Sequence, residues 1–272
     1  MIEFLNIRKA FGSQVVLDDV SLTVHPGQIV YIIGKSGAGK SVLVKHVLGL
    51  IRPDSGIIRF EGQDITRFRE RDFYPLRKRC AMVFQHSTLF DSMTLLENVA
   101  LPIRKHKGLS HADSLAAARE KLALVQMEAL ADRAPADIGD GLRKRVAIAR
   151  ALTLDPMYIV FDEPTTGLDP VSAVRVDRLI RRLAVDTGVT SIVVSHDLRS
   201  IFSVADRVVF LYQGKVHLDG PPALFRAERA TVGASDGERL GAAQSEPRLI
   251  RASTDPVVRQ FINGLPEGPM EL

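Results

Sequence analysis

A chain of 272 residues, 46% hydrophobic and 25% charged, has the composition of a globular protein with a full core, which excludes collagenous, disulfide-framework and wholly disordered classes. The 36 Lys and Arg against 32 Asp and Glu leave a formal net charge of +4, too small an excess to imply a nucleic-acid partner. Cys80 has no second cysteine to pair with, the opening MIEFLNIRKA lacks the apolar core of a secretory signal, and the apolar runs fall far short of the ~20 residues that span a bilayer. A cytosolic location is expected, with membrane contact made through a partner.

In chain order, Val20, Leu22 and Val24 alternate with Ser21 and Thr23 as in a half-buried strand, and His25-Pro-Gly-Gln28 supplies turn chemistry, so a short antiparallel sheet opens the chain. Residues 29–33 are continuously apolar, as in a strand buried on both faces, and run through a glycine-rich loop into a helix over 42–50. A break at 52–56 precedes an edge strand over 57–60, and 81–84 is a further short strand. From about residue 91 to 155 the period becomes helical, with capping-box patterns at Thr94/Glu97 and Ser110/Asp113, which predicts an all-helical insert. Beyond it, buried strands over 157–161, 191–194 and 207–212 are separated by helices over 171–184 and near 198–204. This alternation predicts an α/β fold with a parallel sheet wound on both faces. Residues 226–253, rich in Ala, Gly, Glu, Arg and Ser without period, read as a linker. In the tail, 254–272, Val257, Val258, Phe261, Ile262 and Leu265 form an apolar cluster at helical spacing, as in a segment that docks.

The strongest chemical signal is Gly34-x-x-x-x-Gly39-Lys40-Ser41 between a buried strand and a helix. Small residues let successive backbone N–H groups close around phosphate, the helix N-terminus adds partial positive charge, a lysine reaches the β and γ phosphates and a hydroxyl ligates Mg²⁺. Asp162 and Glu163, at the end of another buried strand, supply a carboxylate for the Mg²⁺ shell and one to polarise a water for in-line attack.

Together with Phe11, Gln85 in Val-Phe-Gln-His, the segment Ile138–Leu142 before Arg-Lys-Arg-Val-Ala-Ile-Ala-Arg-Ala-Leu, Gly167-Leu-Asp169-Pro and Val194-Ser-His196-Asp, these motifs resemble those of ABC transporter ATPase subunits, in the family's order, over roughly residues 1–225. The resemblance implies a P-loop NTPase with a RecA-like mixed sheet core, an antiparallel β subdomain and an α-helical subdomain at about 91–155. It implies a homodimer that binds and hydrolyses ATP with Mg²⁺. Phe11 would stack on adenine, and Gly34, Lys35, Ser36, Gly37, Ala38, Gly39, Lys40, Ser41 and Val42 would hold the phosphates. Ser41, Gln85 and Asp162 would hold the metal, and Glu163, His196 and Gln85 would be catalytic. Gly139 and Gly141 would face the nucleotide of the second copy, and Asp169 the dimer seam.

One motif departs from the family. A Leu-Ser-Gly-Gly-Gln signature is replaced by Ile138-Gly139-Asp140-Gly141-Leu142. Loss of the serine hydroxyl forfeits a hydrogen bond to a charged group, on the order of 1.5–3 kcal/mol. A carboxylate ~4 Å from a phosphate charge costs about 4 kcal/mol as an upper guide. Either ATP binding survives with reduced closure, with Asp140 turning back to cap its own helix, or the local backbone accommodates the acid. Within the family, residues 142–150 and the tail over 254–269 resemble the Mla type, which moves phospholipid between bacterial inner and outer membranes. That implies an integral membrane permease, a small cytosolic regulatory subunit, a periplasmic lipid-binding ring and a place on the cytoplasmic face of the inner membrane. The alternatives are an ATPase serving another ABC importer or exporter, and a nucleotide-binding scaffold with little hydrolysis.

Overall fold

The computed structural model describes residues 1–225, 255–265 and 267–270. Among them the strands are β1 (Ile2–Phe11), β2 (Gln14–Val24), β3 (Ile29–Ile33), β4 (Ser55–Phe60), β5 (Gln63–Asp64), β6 (Cys80–Val83), β7 (Tyr158–Asp162), β8 (Thr190–Val194), β9 (Arg207–Tyr212) and β10 (Lys215–Gly220). The helices are α1 (Lys40–Val47), α2 (Glu70–Arg79), α3 (Leu95–Lys107), α4 (His111–Leu124), α5 (Asp140–Ala151), α6 (Pro170–Thr187), α7 (Leu198–Val204) and α8 (Pro256–Asn263). The chain divides into two compact units, Met1–Asp219 and Gly220–Leu272.

Two sheets organise the larger unit. The first runs β2-β1-β4-β5 and is antiparallel throughout. In β2 the residues Val20, Leu22 and Val24 are buried while Ser21 faces out, the period of two expected of a strand with one wet face, and a register irregularity near Asp19 sets off the buried Leu17 by three residues. The second runs β10-β9-β3-β8-β7-β6, with β9, β3, β8, β7 and β6 parallel to their neighbours. Every residue of β3, β7 and β8 is buried, which accounts for their apolar runs at 29–33, 158–161 and 192–194.

The insert is helical as expected, with α3 and α4 joined through Gly108 and α4 and α5 by 3-10 turns at Glu128–Leu130 and Pro135–Asp137. Thr94 caps α3 by accepting from Glu97 N (3.2 Å) while Glu97 Oε2 accepts from Thr94 N (2.8 Å), and Ser110 Oγ accepts from Asp113 N (3.1 Å) at the start of α4. Several elements escape the sequence reading, among them β1, β5, α2 and β10. In α2 only Phe73 and Leu76 are buried and Pro75 interrupts the helical pattern, and β10 is a sheet edge whose residues are all exposed or half-buried.

The expected linker over 226–253 lies outside the described residues. In the second unit α8 is capped by Asp255 Oδ1, which accepts from Val257 N (2.8 Å) and Val258 N (3.1 Å). Of the expected apolar cluster, Val258 is buried and Leu265 exposed, and a polar residue takes part that periodicity does not reveal. The buried Gln260 amide donates to Met270 O (3.2 Å) and accepts from Met270 N (2.6 Å), which ties the chain end to the helix. No helix among the described residues is long and apolar enough to cross a membrane.

Cys80, at the start of β6, is buried, and burial pushes its thiol pKa up to about 12. Iodoacetamide at pH 8 is expected to leave the native chain unmodified and to alkylate Cys80 fully in guanidinium, as read by intact mass. Rapid native labelling would show that β6 opens.

Candidate functional site

The site follows from strand register. Ile32 of β3 pairs with Val194 of β8, and Val194 pairs with Asp162 of β7, so the carboxyl ends of three buried strands lie side by side. The chain leaves them at Gly34, Ser195 and Glu163, with Ser195 N donating to Ile32 O (3.2 Å) and Glu163 N to Val194 O (2.9 Å). Motifs more than 100 residues apart in sequence are thereby brought to one edge, the position where open parallel sheets bind ligands.

From β3 the loop turns at Gly34, whose φ of +152° and lack of a side chain are both required: a Cβ there would lie 2.4 Å from Leu211 O. Gly39 closes the loop at φ +93°, where a Cβ would meet Leu17 Cδ2 at 2.7 Å and Val16 O at 2.8 Å. It is also the N-cap of α1, so that helix starts with no side-chain cap and no acidic residue in its first turn. Its first N–H groups are therefore left for an anion. Lys40 is buried and folds back on the loop, donating to Gly34 O (2.8 Å) and Lys35 O (2.9 Å), with Glu163 Oε1 4.0 Å away. Burial lowers the pKa of its ammonium, against which Glu163 and Asp162 act.

Ser41 Oγ donates to Asp162 Oδ1, while Lys45 Nζ stands 3.7 Å from Asp162 Oδ2. The hydroxyl and carboxylate thus converge on one point, and as hard oxygen donors they suit Mg²⁺. No cluster of three or more His, Cys, Asp or Glu able to hold a metal occurs among the described residues, so a metal here would draw its remaining ligands from uncharged oxygens such as a glutamine amide, from phosphate and from water, as Mg²⁺ does. Glu163 has φ +52°, unusual for a residue other than glycine. Its Oε2 accepts from Thr166 Oγ1 (2.8 Å) and from His196 Nδ1 (2.8 Å), the second bond requiring the proton on Nδ1.

The remaining expected residues lie on other elements. Phe11 ends β1 half-exposed, with the Lys9 ammonium 5.3 Å from its ring centroid. Gln85 is exposed in the loop after β6, and its carbonyl, with that of Phe84, accepts from the buried Lys144 of α5 (3.0 Å to Phe84 O). A cavity of about 410 Å³ brings Gln85, Asp140, Lys144 and Gly167 together. Gly139 is the N-cap of α5, and a Cβ on Gly141 would lie 2.9 Å from Ser172 Oγ of α6. Asp140 does not cap its own helix: its carboxylate instead meets Arg143 Nη1 at 3.3 Å, one turn along an exposed face. Asp169 does act as a cap, its Oδ1 accepting from Val171 N and Ser172 N of α6, both at 3.0 Å. Sequence reasoning passed over Lys45, Thr166 and Lys144. Lys45 had a signal, since it stands four residues after Ser41 on the same helical face, whereas Lys144 sits in a basic triplet that reads as solvated.

The family model for ABC transporters matches residues 17–166. The intermembrane phospholipid transport ATP-binding protein MlaF of Haemophilus influenzae is 40% identical over 220 residues, 81% of this chain and 83% of that protein. The chain belongs to the ABC transporter ATP-binding family. Other members are equally similar: the methionine import ATP-binding protein MetN of Mesorhizobium japonicum is 40% identical over 221 residues, 81% of this chain. This ABC chain spans 60% of that protein's length. The probable ribonucleotide transport ATP-binding protein mkl of Mycobacterium tuberculosis is 34% identical over 269 residues, 99% of this chain and 68% of its own length. Among solved structures, the ATP-binding cassette MJ0796, a dimer in a post-hydrolysis state bound to ADP and Pi, superposes with a TM-score of 0.74 at 30% identity, covering 82% of this chain and 99% of that one. The ABC ATPase fold expected from the sequence is therefore the one observed.

Replacing Lys144 with Met would strand the carbonyls of Phe84 and Gln85 without their donor. Urea unfolding of Lys144→Met is expected to show a loss of about 1–3 kcal/mol, the cost of unpaired buried acceptors. An unchanged midpoint would mean that those carbonyls reach water.

Proposed function

We propose that the chain is the ATP-hydrolysing subunit of a membrane transporter whose cargo is phospholipid. Two copies would work beneath an integral membrane permease on the cytoplasmic face of the inner membrane, with a small cytosolic regulatory subunit and a periplasmic lipid-binding ring as further partners. The enzymatic half rests on one observation, the convergence of Lys40, the Ser41–Asp162 pair and the Glu163–His196 pair at one edge of the parallel sheet.

In this reading the uncapped start of α1 and the loop amides receive the phosphates, and Lys40 exchanges the carbonyls of Gly34 and Lys35 for β and γ phosphate oxygens. Phe11 stacks on adenine. Ser41, Asp162 and Gln85 hold Mg²⁺, which when bound neutralises phosphate charge and fixes the geometry of the phosphate chain. Glu163 orients the attacking water and takes its proton, and His196 passes from Glu163 to the γ-phosphate. Gly139 and Gly141 of the second copy close over that phosphate. Beside the Gln85 loop, a cavity of about 280 Å³ lined by Leu50, Met82, Phe84, Pro102 and Leu154 suits an apolar segment of the permease.

The phospholipid cargo is supported by the likeness to MlaF and by the character of the tail. A second reading, a different cargo such as that named for mkl, is favoured by an alignment that spans 99% of this chain. Native purification with mass spectrometry of bound subunits and lipid separates them. In vesicles holding the reconstituted complex, Lys40→Ala or Glu163→Gln is expected to stop cargo movement. Undiminished movement overturns the enzymatic half, whereas a complex carrying a ligand other than phospholipid overturns the cargo half alone.

The altered signature yields its own expectation. Asp140 stands at the start of α5, where the second copy's phosphate would approach, and Arg143 neutralises it in part. The double change Gly139→Ser with Asp140→Gly is expected to raise ATP turnover on the order of tenfold by removing repulsion and restoring a hydroxyl. Equal rates would show that the backbone already accommodates the acid.

A further inference from the structure

Helices α5 and α6 bring four arginines together around one cavity. Between α6 and the end of α4 is a cavity of about 460 Å³, lined by Gln126, Arg145, Arg175, Arg178, Leu179 and Arg182, four guanidinium groups and no carboxylate. Arg175, Arg178 and Arg182 recur at i, i+3 and i+7 on one face of α6, and Arg145 comes across from α5.

Two of the four satisfy backbone carbonyls. Arg145 Nε donates to Val125 O (2.8 Å) and its Nη2 to the Gln126 side-chain oxygen (3.1 Å), while Arg182 Nη2 donates to Leu124 O. The carbonyls lie at the C-terminal end of α4, a natural place for cations. This pins two guanidinium groups in place with N–H donors to spare. Arg175 and Arg178 differ, for neither makes a hydrogen bond or ion pair among the described residues. Burial first, and then the charges of Arg175 and Arg182, hold the Arg145 guanidinium below its usual pKa, so the cluster repels itself as it stands.

We propose that this cavity binds a small phosphorylated anion with two or more negative charges, a pyrophosphate group or one carried by a nucleotide. A planar guanidinium presents paired donors that match phosphate oxygens, and a polyvalent anion relieves all four charges together. The cavity size suits a small molecule, and the buried Leu179 gives it an apolar floor. The site is independent of the cargo and does not use the phosphate loop.

The test is calorimetric titration of pyrophosphate into the full chain carrying Lys40→Ala, which weakens the first site, and into the same chain with Arg175→Gln and Arg178→Gln added. Both arginines are exposed, so the fold should survive, as circular dichroism would verify. One pyrophosphate per chain is expected, with affinity falling on the order of tenfold for each guanidinium removed and orthophosphate binding more weakly. ADP binding as tightly as pyrophosphate, and equally sensitive to the two changes, would identify a nucleotide as the carrier. Pyrophosphate affinity indifferent to Arg175 and Arg178 overturns the proposal. So does a glutamate-rich peptide that binds where pyrophosphate does not, since the surface would then be one for an acidic protein segment.

Discussion

The parallel hydrogen-bond register of β3, β8 and β7 is the constraint from which the site follows. Because Ile32, Val194 and Asp162 lie in one row, the residues just beyond that row, Gly34, Ser195 and Glu163, emerge together on one edge. A register slip of one residue on β7 would turn Asp162 to the opposite face of the sheet and break its contact with Ser41. The apolar residues that bury all three strands therefore do more than stabilise a core. They hold the alignment that lets a hydroxyl, two carboxylates and an imidazole meet.

Much of this was legible in the sequence, and for a physical reason. Strands buried on both faces carry apolar runs, and caps place an oxygen three residues before a free N–H, so β3, β7, β8, α3 and α4 declare themselves. The phosphate loop was equally open, since Gly34 and Gly39 sit where any Cβ collides. Less legible were elements stabilised by context. The proline and sparse apolar residues of α2 disguise it, and β10 offers only Val216 and Leu218, half-buried between exposed Lys215, His217 and Asp219, as a short period-two signal at the sheet edge. Thr166 and Lys144 were hidden because their partners are oxygens that only the folded chain brings near.

Two of the charges on helix α5, Asp140 and Lys144, have opposite fates. Asp140 opens it, exposed and tied to Arg143, while Lys144, one turn further, is buried and holds the carbonyls of the Gln85 loop. The burial of Lys144 pushes its pKa down to about 8, with Asp140 and Asp162 opposing the shift. The two carbonyls it serves offset part of the cost of burying that ammonium. The helix that presents the altered signature is thus fastened to the loop bearing Gln85, and displacement of one displaces the other.

The Lys40 ammonium gives two of its three N–H donors to the oxygens of Gly34 and Lys35. Capture of an anion there is an exchange, in which new partners must outcompete the loop's own dipoles. A single weak acceptor, such as chloride or a lone carboxylate, gains too little from the swap, whereas a chain of several charged oxygens replaces both lost bonds at once. A loop that holds Lys40 in this way would discriminate among anions by the number of oxygens offered rather than by charge alone.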